Sequence, residues 1–275
     1  MEKGHGVKDK TDGGSPAQIH LTQFLAATLK ENGHSDKSTT ALIILNSPIS
    51  DFECFERLYN HASYVLCVDG GANRLHDLLV ARHHDQPWAS ALQKALPNAV
   101  HGDLDSVRDD VRKKYEQVGV QVSHDPDQYC TDFGKAIKKV MANVPCLENI
   151  LVLGSIGGRV DQGIGLLHEM YREQKFNHPE LRFWLFTESS ISILLQKGTT
   201  TIHTPINKGL ITPNVGILPL YGKACISIKG FEWDVTAWAT EMGRQVSTSN
   251  HIMADQVFVT TDTEVLFTVE RQIER

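Results

Sequence analysis

Short apolar runs alternate with amphipathic stretches from residue 41 to residue 186, and this alternation is the main structural signal in the chain. Apolar residues at helical spacing predict helices near residues 52–60, 73–80, 107–117, 132–141 and beyond residue 161. Strands that alternate with helices predict an α/β fold with a mostly parallel, Rossmann-like sheet and helices on both faces. The runs with the length of a strand are Ala41–Leu45, Tyr64–Val68, Ala99–Val100, Val120–Val122, Ile150–Leu153 and Arg182–Phe186.

Two of these helices carry more specific expectations. Ser106 followed by Asp109 resembles a capping box, so the pair is expected to start the helix that follows it. The last helix of the series is expected to bury Ile164, Leu167 and Tyr171, because these apolar residues repeat at helical spacing.

After about residue 190 the helical pattern stops, and short β-type runs separated by glycine and proline predict a C-terminal antiparallel sandwich or barrel. We therefore expect an α/β domain over 41–190 and an all-β domain over 191–275. Residues 1–40 are expected to form a partly disordered extension in which one short helix over His20–Leu29 docks on the body. The β-type runs are Ile191–Leu195, Thr199–His203, Gly216–Leu220, Cys225–Ile228, Val257–Thr260 and Val265–Val269.

The composition excludes two classes of partner. The chain has 275 residues and a formal net charge of −6, a length that fits one large domain or two modest ones. The mild acidity argues against nucleic acid, because proteins that bind the phosphate backbone usually carry a basic patch. The apolar runs fall well short of the ~20 residues that a membrane-spanning helix needs, so no membrane association is expected.

The cysteines bear on the compartment. Five are present, and no two of them form a Cys-x-x-Cys pair. This odd number without metal or redox spacing favours reduced thiols over a disulfide framework. Since the first residues also lack the apolar stretch of a secretory signal, we expect a soluble cytoplasmic protein.

Aspartates follow several of the predicted parallel strands: Asp69 follows the second, Asp103 and Asp105 follow the third, and Asp132 and Asp161 lie beyond the fourth and fifth. The carboxyl ends of parallel strands share one edge of the sheet, where open α/β folds bind ligands. Carboxylates gathered there would repel one another unless a cation neutralised them, and Mg²⁺ commonly bridges carboxylates to phosphates. The pattern therefore predicts a Mg²⁺–phosphate site.

Each aspartate also has a purely structural interpretation. An aspartate at the start of a loop commonly forms an Asx turn or caps a helix, and Asp105 with Ser106 fits that role. Asp103 and Asp105 are the better metal candidates, because alternate residues of an extended segment point to the same side.

Two glycine-rich turns between a strand and a helix, Asp69–Arg74 and Gly154–Arg159, are candidate phosphate contacts. Backbone N–H groups at such turns favour anions, and Arg74 or Arg159 would add a guanidinium. Neither turn matches a Walker A motif or Gly-x-Gly-x-x-Gly, which disfavours a P-loop NTPase and a nicotinamide dehydrogenase.

Six short motifs follow one another between about Ala41 and Thr268. They are DGGANR at 69–74, GDLDS at 102–106, DQYCTDF at 127–133, GGRVDQ at 157–162, GFEW at 230–233 and STSN at 247–250. In this set and order they resemble the thiamin pyrophosphokinase family. The chain departs from that family at Leu104 and Val160, where phenylalanine is common, and at Tyr129 and Cys130, where Asp or Asn and Ser are common.

The resemblance implies that the thiamine hydroxyl attacks the β-phosphorus of ATP and yields AMP and thiamine diphosphate. It implies that Asp103 and Asp105 hold Mg²⁺ with Asp132 nearby, and that Asp161 or Asp132 orients or deprotonates the hydroxyl. The implied nucleotide and phosphate contacts are Asp69, Gly70, Asn73, Arg74, Ser106 and Arg159.

The resemblance also assigns thiamine binding and oligomeric state. Trp233 would offer an aromatic face to the thiazolium, and Gln128 and Thr131 would face the reacting substrate. Because the family forms homodimers with the site between subunits, a homodimer is implied. The implied hydrogen bonds to the pyrimidine come from Ser247, Ser249 and Asn250.

Without the resemblance, other interpretations stay open. Trp233 would be a core tryptophan and residues 247–250 a polar turn. Two further functions share the acidic edge: a Mg²⁺-dependent phosphohydrolase acting on nucleotides, and a non-catalytic thiamine or nucleotide sensor.

Overall fold

Two β-sheets, one of ten strands and one of five, organise the chain. The computed structural model describes residues 16–26, 37–127 and 129–273. The helices are α1 (Phe52–His61), α2 (Gly71–Arg82), α3 (Trp88–Leu92), α4 (Asp109–Gln117), α5 (Asp132–Asn143) and α6 (Val160–Arg172). The strands are β1 (Ala17–His20), β2 (Thr40–Ile44), β3 (Tyr64–Val68), β4 (Ala99–Gly102), β5 (Gln121–His124), β6 (Asn149–Leu153), β7 (Arg182–Phe186), β8 (Ser190–Leu195), β9 (Gly198–His203), β10 (Ile211–Leu218), β11 (Ala224–Lys229), β12 (Val235–Thr240), β13 (Ser247–His251), β14 (Gln256–Thr261) and β15 (Val265–Arg271).

The ten-stranded sheet has a parallel half and an antiparallel half. Its order is β13-β10-β15-β8-β7-β6-β2-β3-β4-β5. The strands from β7 to β5 pair in parallel, whereas β8, β15, β10 and β13 pair antiparallel. The predicted fold class, a parallel α/β sheet with an antiparallel C-terminal β-region, is therefore confirmed.

The parallel strands are buried on both faces, which explains why the sequence shows them as continuous apolar runs. In β2, Leu42 and Ile44 pack with α1, α2 and α4, while Ala41 and Ile43 pack with α5 and α6. Helices thus cover both faces of this half, as a crossover connection between parallel strands requires.

The five-stranded sheet, in the order β1-β9-β14-β11-β12, packs on the antiparallel half of the larger one. Ile226 and Val257 of the smaller sheet share one apolar cluster with Ile217 and Phe267 of the larger. Because β7 pairs directly with β8, one hydrogen-bonded sheet continues across the predicted domain boundary at residue 190. The domain limits 41–190 and 191–275 stay a prediction.

The expected helix over His20–Leu29 is wrong for the residues that the structure describes. Residues 17–20 form β1, which pairs in parallel with β9, and residues 21–25 form turns. Leu21, Phe24 and Leu25 are nevertheless buried, so their apolar spacing reflects docking without a helix. The predicted disorder within residues 1–40 concerns segments that lie outside the described residues.

Two helix predictions are also wrong in detail. Helix α4 begins at Asp109 with Arg108 at its N-cap and no side-chain cap, and the Ser106 hydroxyl donates to Asp105. In α6 the Ile164 side chain is 62% exposed, and Leu166 and Met170 are buried in its place. Among the described residues, no helix combines the length and apolarity that crossing a membrane requires.

Candidate active site

The strand order creates a crevice at the carboxyl end of the parallel strands. From β2 the chain adds β3, β4 and β5 toward one edge, whereas β6 lies on the other side of β2. Such a switch point is where open α/β sheets bind ligands. Gly154 ends β6 with φ of +77°, and a Cβ on it would lie 3.0 Å from the Cβ of Ser47 in the loop after β2.

Helix α2 begins directly against this crevice. A Cβ on Gly71 would lie 2.2 Å from the Ile44 carbonyl oxygen, so only glycine lets the helix start this close to β2. The neighbouring Gly70 lies equally close to Asn46, and Arg74 Nε donates to Asn46 Oδ1 at 2.9 Å. The predicted phosphate contacts Gly70 and Arg74 therefore lie at the crevice.

Three carboxylates meet where β3 and β4 end. Asp69, Asp103 and Asp105 each place one oxygen so that all three lie within 4.8 Å of one another. Asp69 is only 7% exposed, whereas Asp105 is exposed to solvent. Oxygen atoms grouped this closely form a ligand set for a hard divalent cation.

The backbone and the hydrogen bonds of the loop hold this acidic cluster in place. Asp69 and Leu104 adopt left-handed φ values of 45° and 62°, which non-glycine residues seldom adopt. Asp69 Oδ1 accepts from the Ser106 N–H at 3.1 Å, and Ser106 Oγ donates to Asp105 Oδ1 at 2.9 Å. Burial raises the pKa of the Asp69 carboxyl, and the charge of Asp103 raises it further.

Asn73 joins α2 to the same loop. Its Nδ2 donates to the Ser106 carbonyl at 2.7 Å, and its Oδ1 accepts from the Arg108 N–H at 3.0 Å. The Arg108 guanidinium in turn donates to both carboxylate oxygens of Asp77, one turn further along α2. Asn73, predicted as a nucleotide contact, thus holds the loop of Asp105 and Ser106 in the structure.

Asp132 lies beside the cluster and is paired with a buried lysine. Both Asp132 and Asp69 border Gly102: a Cβ on this glycine would lie 3.6 Å from Asp132 Oδ1 and 3.3 Å from Asp69 Cβ. Lys135 Nζ donates to Asp132 Oδ1 at 3.2 Å, although this lysine is only 3% exposed. Burial alone would lower the pKa of Lys135, but the hydrogen bond and charge of Asp132, with the charges of Asp103 and Asp125, raise it.

Lys135 was not predicted from the sequence. The available signal was its place three residues after Asp132 in a helix that begins at the carboxyl edge, since such residues share a helix face. Thr131 caps this helix by accepting from the Gly134 N–H at 3.1 Å. Gln128, the other predicted substrate contact of this loop, lies outside the described residues.

Arg159 and Asp161 pair with each other. Arg159 NH2 lies 2.6 Å from Asp161 Oδ2, and their side chains are 75% and 62% exposed. The hydrogen bond from Arg159 lowers the pKa of the Asp161 carboxyl. The structure thus brings Asp132 next to Asp69, whereas Asp161 forms an exposed pair with Arg159.

A second pocket of about 290 Å³ lies in the C-terminal part of the chain. Trp233, Ser247, Ser249 and Asn250 line it, as predicted together, and Trp238, which was not predicted, lines it as well. Asn250 accepts from the Trp233 N–H at 3.1 Å and donates to the Trp233 carbonyl at 3.0 Å. Asn250 therefore holds the backbone of Trp233, whose side chain is 53% exposed.

The two parts of the predicted site lie far apart within one chain. Ser247–His251 forms β13 at one edge of the ten-stranded sheet, and the cluster lies at the ends of β3 and β4 near the other edge. Eight strand spacings separate β13 from β4 in the sheet order, a path of about 38 Å across the sheet.

Two family models match the chain. One, described as thiamin pyrophosphokinase, catalytic domain, matches residues 55–182. The other, described as thiamin pyrophosphokinase, vitamin B1 binding domain, matches residues 199–266. Together they cover the acidic cluster and all the lining residues of the tryptophan-lined pocket.

Relatives and solved structures agree with these matches. Thiamine pyrophosphokinase 1 of Arabidopsis thaliana is 31% identical over 259 residues, covering 91% of this chain and 92% of that protein. Thiamine pyrophosphokinase 2 of the same plant is 32% identical, covering 91% and 92%. The crystal structure of yeast thiamin pyrophosphokinase superposes with a TM-score of 0.80 at 25% identity, covering 98% of this chain and 96% of that one.

Proposed function

The chain belongs to the thiamin pyrophosphokinase family, and we propose that it transfers a diphosphoryl group from ATP to the hydroxyl of thiamine. The thiamine hydroxyl oxygen forms a bond to the β-phosphorus, the bond from that phosphorus to the α,β-bridging oxygen breaks, and AMP leaves. The products are AMP and thiamine diphosphate. The observation that carries this proposal is the acidic cluster beside the switch-point crevice.

Asp69, Asp103 and Asp105 are the residues that fit a Mg²⁺ ion, because their oxygens converge within 4.8 Å and Asp69 is buried. Bound there, Mg²⁺ would neutralise the triphosphate oxygens and stabilise the charge that develops during transfer. Asp132 stands next to this set and completes the group of carboxylates. Lys135 orients Asp132 by donating to its Oδ1.

ATP binding at the crevice follows from the groups that surround it. The N-terminus of α2 and the guanidinium of Arg74 are positive, which suits phosphate oxygens. Asn73 and Ser106 hold the loop that presents Asp105. Phosphoryl transfer asks a protein mainly for such positioning and charge stabilisation.

We assign thiamine to the pocket of Trp233, Ser247 and Ser249, which the vitamin B1 binding model covers. Because the path across the sheet from this pocket to the cluster within one chain is about 38 Å, we infer that a second copy supplies the pocket. The exposed apolar residues Val160 and Ile164 on α6, 75% and 62% exposed, are candidates for the contact between copies. The enzyme is accordingly proposed to act as a homodimer.

A cytoplasmic location is part of the proposal. All five cysteines are free in the structure, and Cys54 and Cys67 are buried. Burial raises the pKa of the Cys54 thiol to about 11, which keeps it protonated and unreactive at neutral pH.

The deciding experiment is to incubate the full chain with ATP, Mg²⁺ and thiamine and to separate the nucleotides. AMP and thiamine diphosphate are expected in equal amounts, and neither should form without thiamine. ADP in place of AMP, or no thiamine diphosphate, would contradict the proposal. Release of orthophosphate or pyrophosphate without thiamine would indicate the phosphohydrolase, and binding without turnover would indicate the sensor.

A further inference from the structure

The tryptophan-lined pocket contains a second aromatic ring that the sequence motifs do not include. Trp238 lines the pocket together with Trp233 and Val235. Val235 and Trp238 belong to the same strand, β12, and both are half-buried while the residues between them are exposed. Side chains three positions apart in a regular strand point to opposite faces, so this strand cannot be regular between them.

A β-bulge accounts for the shared face. Across the β11–β12 ladder, Ile226 lies opposite Trp238, and Ile228 lies opposite Val235. Two steps along β11 therefore correspond to three steps along β12, which places one extra residue in β12. This extra residue turns Trp238 back to the side of Val235.

Ala237 is the residue that makes the bulge. Its φ of 48° lies in the left-handed region, which residues with a Cβ seldom adopt. Its N–H donates to Ser227 Oγ of β11 at 2.9 Å. Trp238 Nε1 donates to Gln245 Oε1, in the segment after β12, at 3.0 Å, so the indole N–H is already used and the ring contributes an apolar face.

The charged residues near the pocket are engaged elsewhere. Asp234 accepts from the N–H groups of Gly230 and Phe231, and Glu232 pairs with His251 at 2.5 Å. The described residues that line the pocket carry no formal charge. Recognition of a cationic heteroaromatic ring therefore depends on the aromatic faces, through apolar contact and cation–π attraction.

We propose that Trp238, aimed into the pocket by the bulge at Ala237, is a specificity-determining residue that forms a second aromatic wall for the cationic ring of the substrate. The inference rests on the proposed function, because it assumes that thiamine occupies this pocket. It adds Trp238 and the β-bulge at Ala237, neither of which belongs to the six motifs.

The first test compares Trp238→Ala and Trp238→Phe in the full chain. Loss of the ring should raise the KM for thiamine about five- to thirty-fold, while kcat and the KM for ATP stay within about twofold. Phe should retain most of the affinity. Titration calorimetry with thiamine alone gives the same comparison without turnover.

The second test addresses the bulge. Ala237→Val places a β-branched side chain at a left-handed position and should raise the KM for thiamine as Trp238→Ala does. Combined with Trp238→Ala it should add little further loss. Ala237→Gly, which tolerates the same φ, should keep the wild-type KM. Ala239→Val, at a regular position of the same strand, is the matched control.

The outcomes separate this inference from the proposed function. Trp233→Ala is expected to raise the KM for thiamine; if it does and Trp238→Ala does not, the second wall is refuted and the function stands. If neither variant changes the KM of an enzyme that turns over thiamine, both the pocket assignment and the inference are wrong. A wild-type chain that neither binds nor converts thiamine overturns both.

Discussion

Asp105 is the carboxylate of the acidic cluster that can be altered with least effect on folding, because it is exposed and its carboxylate accepts from the hydroxyl of the adjacent Ser106. We expect Asp105→Asn to lower kcat by at least about 100-fold at saturating substrates, since a ligand of the charge-neutralising cation is lost. The melting temperature should change little. The matched control is Asp85→Asn at another exposed position, and near-normal turnover by D105N would refute the metal assignment.

Lys135 is the buried cation of the site, and its removal tests whether it neutralises Asp132. Lys135→Met leaves Asp132 beside Asp69 and Asp103 without a counter-charge. We expect kcat to fall at least about tenfold, because the orientation of Asp132 and the charge balance of the carboxylates both depend on this lysine. Lys138→Met, an exposed lysine on the same helix, should leave kcat unchanged. A wild-type kcat in K135M would show that Lys135 only fills space.

The residues of the site differ in how far the sequence predicts them. Asp103 and Asp105 were predictable, because both follow a buried strand whose carboxyl end fixes where they lie. Lys135 was not, because its role depends on which way one face of α5 is turned. The pairing of Arg159 with Asp161 was also missed, since either residue alone fits a phosphate or hydroxyl contact.

At the level of elements, the sequence predicted the strands that are buried along their whole length. Strand β3, buried at each of its residues, was placed with the bounds Tyr64–Val68. Strands β12 and β13 were missed, because a bulge breaks the alternation in β12 and every residue of β13 is polar. Ile164 was predicted to be buried but is exposed in the single chain. The apolar spacing of α6 does not say which apolar face packs inside the subunit.

Thr131 allows an element-scale prediction, because the structure gives it a capping role that differs from the substrate contact implied by the family resemblance. Thr131→Ala should lower the free energy of unfolding by about 1 kcal/mol, since the Gly134 N–H loses its acceptor at the start of α5. Thr131→Ser should restore it, as measured by urea denaturation. Unchanged stability together with a raised KM for thiamine would instead favour the substrate contact.

At the scale of the whole molecule, an ion pair joins the helical part to the turn between β14 and β15. Lys175, in the π-helical turn after α6, donates to Glu264, which is 3% exposed in the turn between β14 and β15. Burial alone would raise the pKa of Glu264, but the hydrogen bond from Lys175 and a backbone N–H hold it below its ordinary value of 4.5.

Lys175→Met should therefore destabilise the protein in a pH-dependent way. A carboxyl with a lowered folded pKa contributes stability above pH 4.5 and loses it as the pH falls through the folded value. We expect a loss of about 1–3 kcal/mol at pH 7 that shrinks below pH 4.5, measured by denaturant titration. Lys197→Met, at an exposed lysine, serves as the control. A loss that stays constant with pH would assign the effect to packing.

The distance between the acidic cluster and the tryptophan-lined pocket leads to a prediction about mixed dimers. A chain with Asp105→Asn lacks the cluster but keeps the pocket, and a chain with Trp233→Ala keeps the cluster but lacks the pocket. If each site combines the cluster of one chain with the pocket of the other, a dimer of the two variants contains one site with both parts intact.

Random mixing of the two impaired variants, by unfolding and refolding together, should then restore about a quarter of the wild-type rate at low thiamine, because half of the dimers are mixed and each has one intact site of two. Native mass spectrometry would verify that mixed dimers form. Refolding each variant alone should restore nothing. If mixed dimers form and the rate stays at the level of the separate variants, each site is built from a single chain, and the arrangement inferred from the sheet order is wrong.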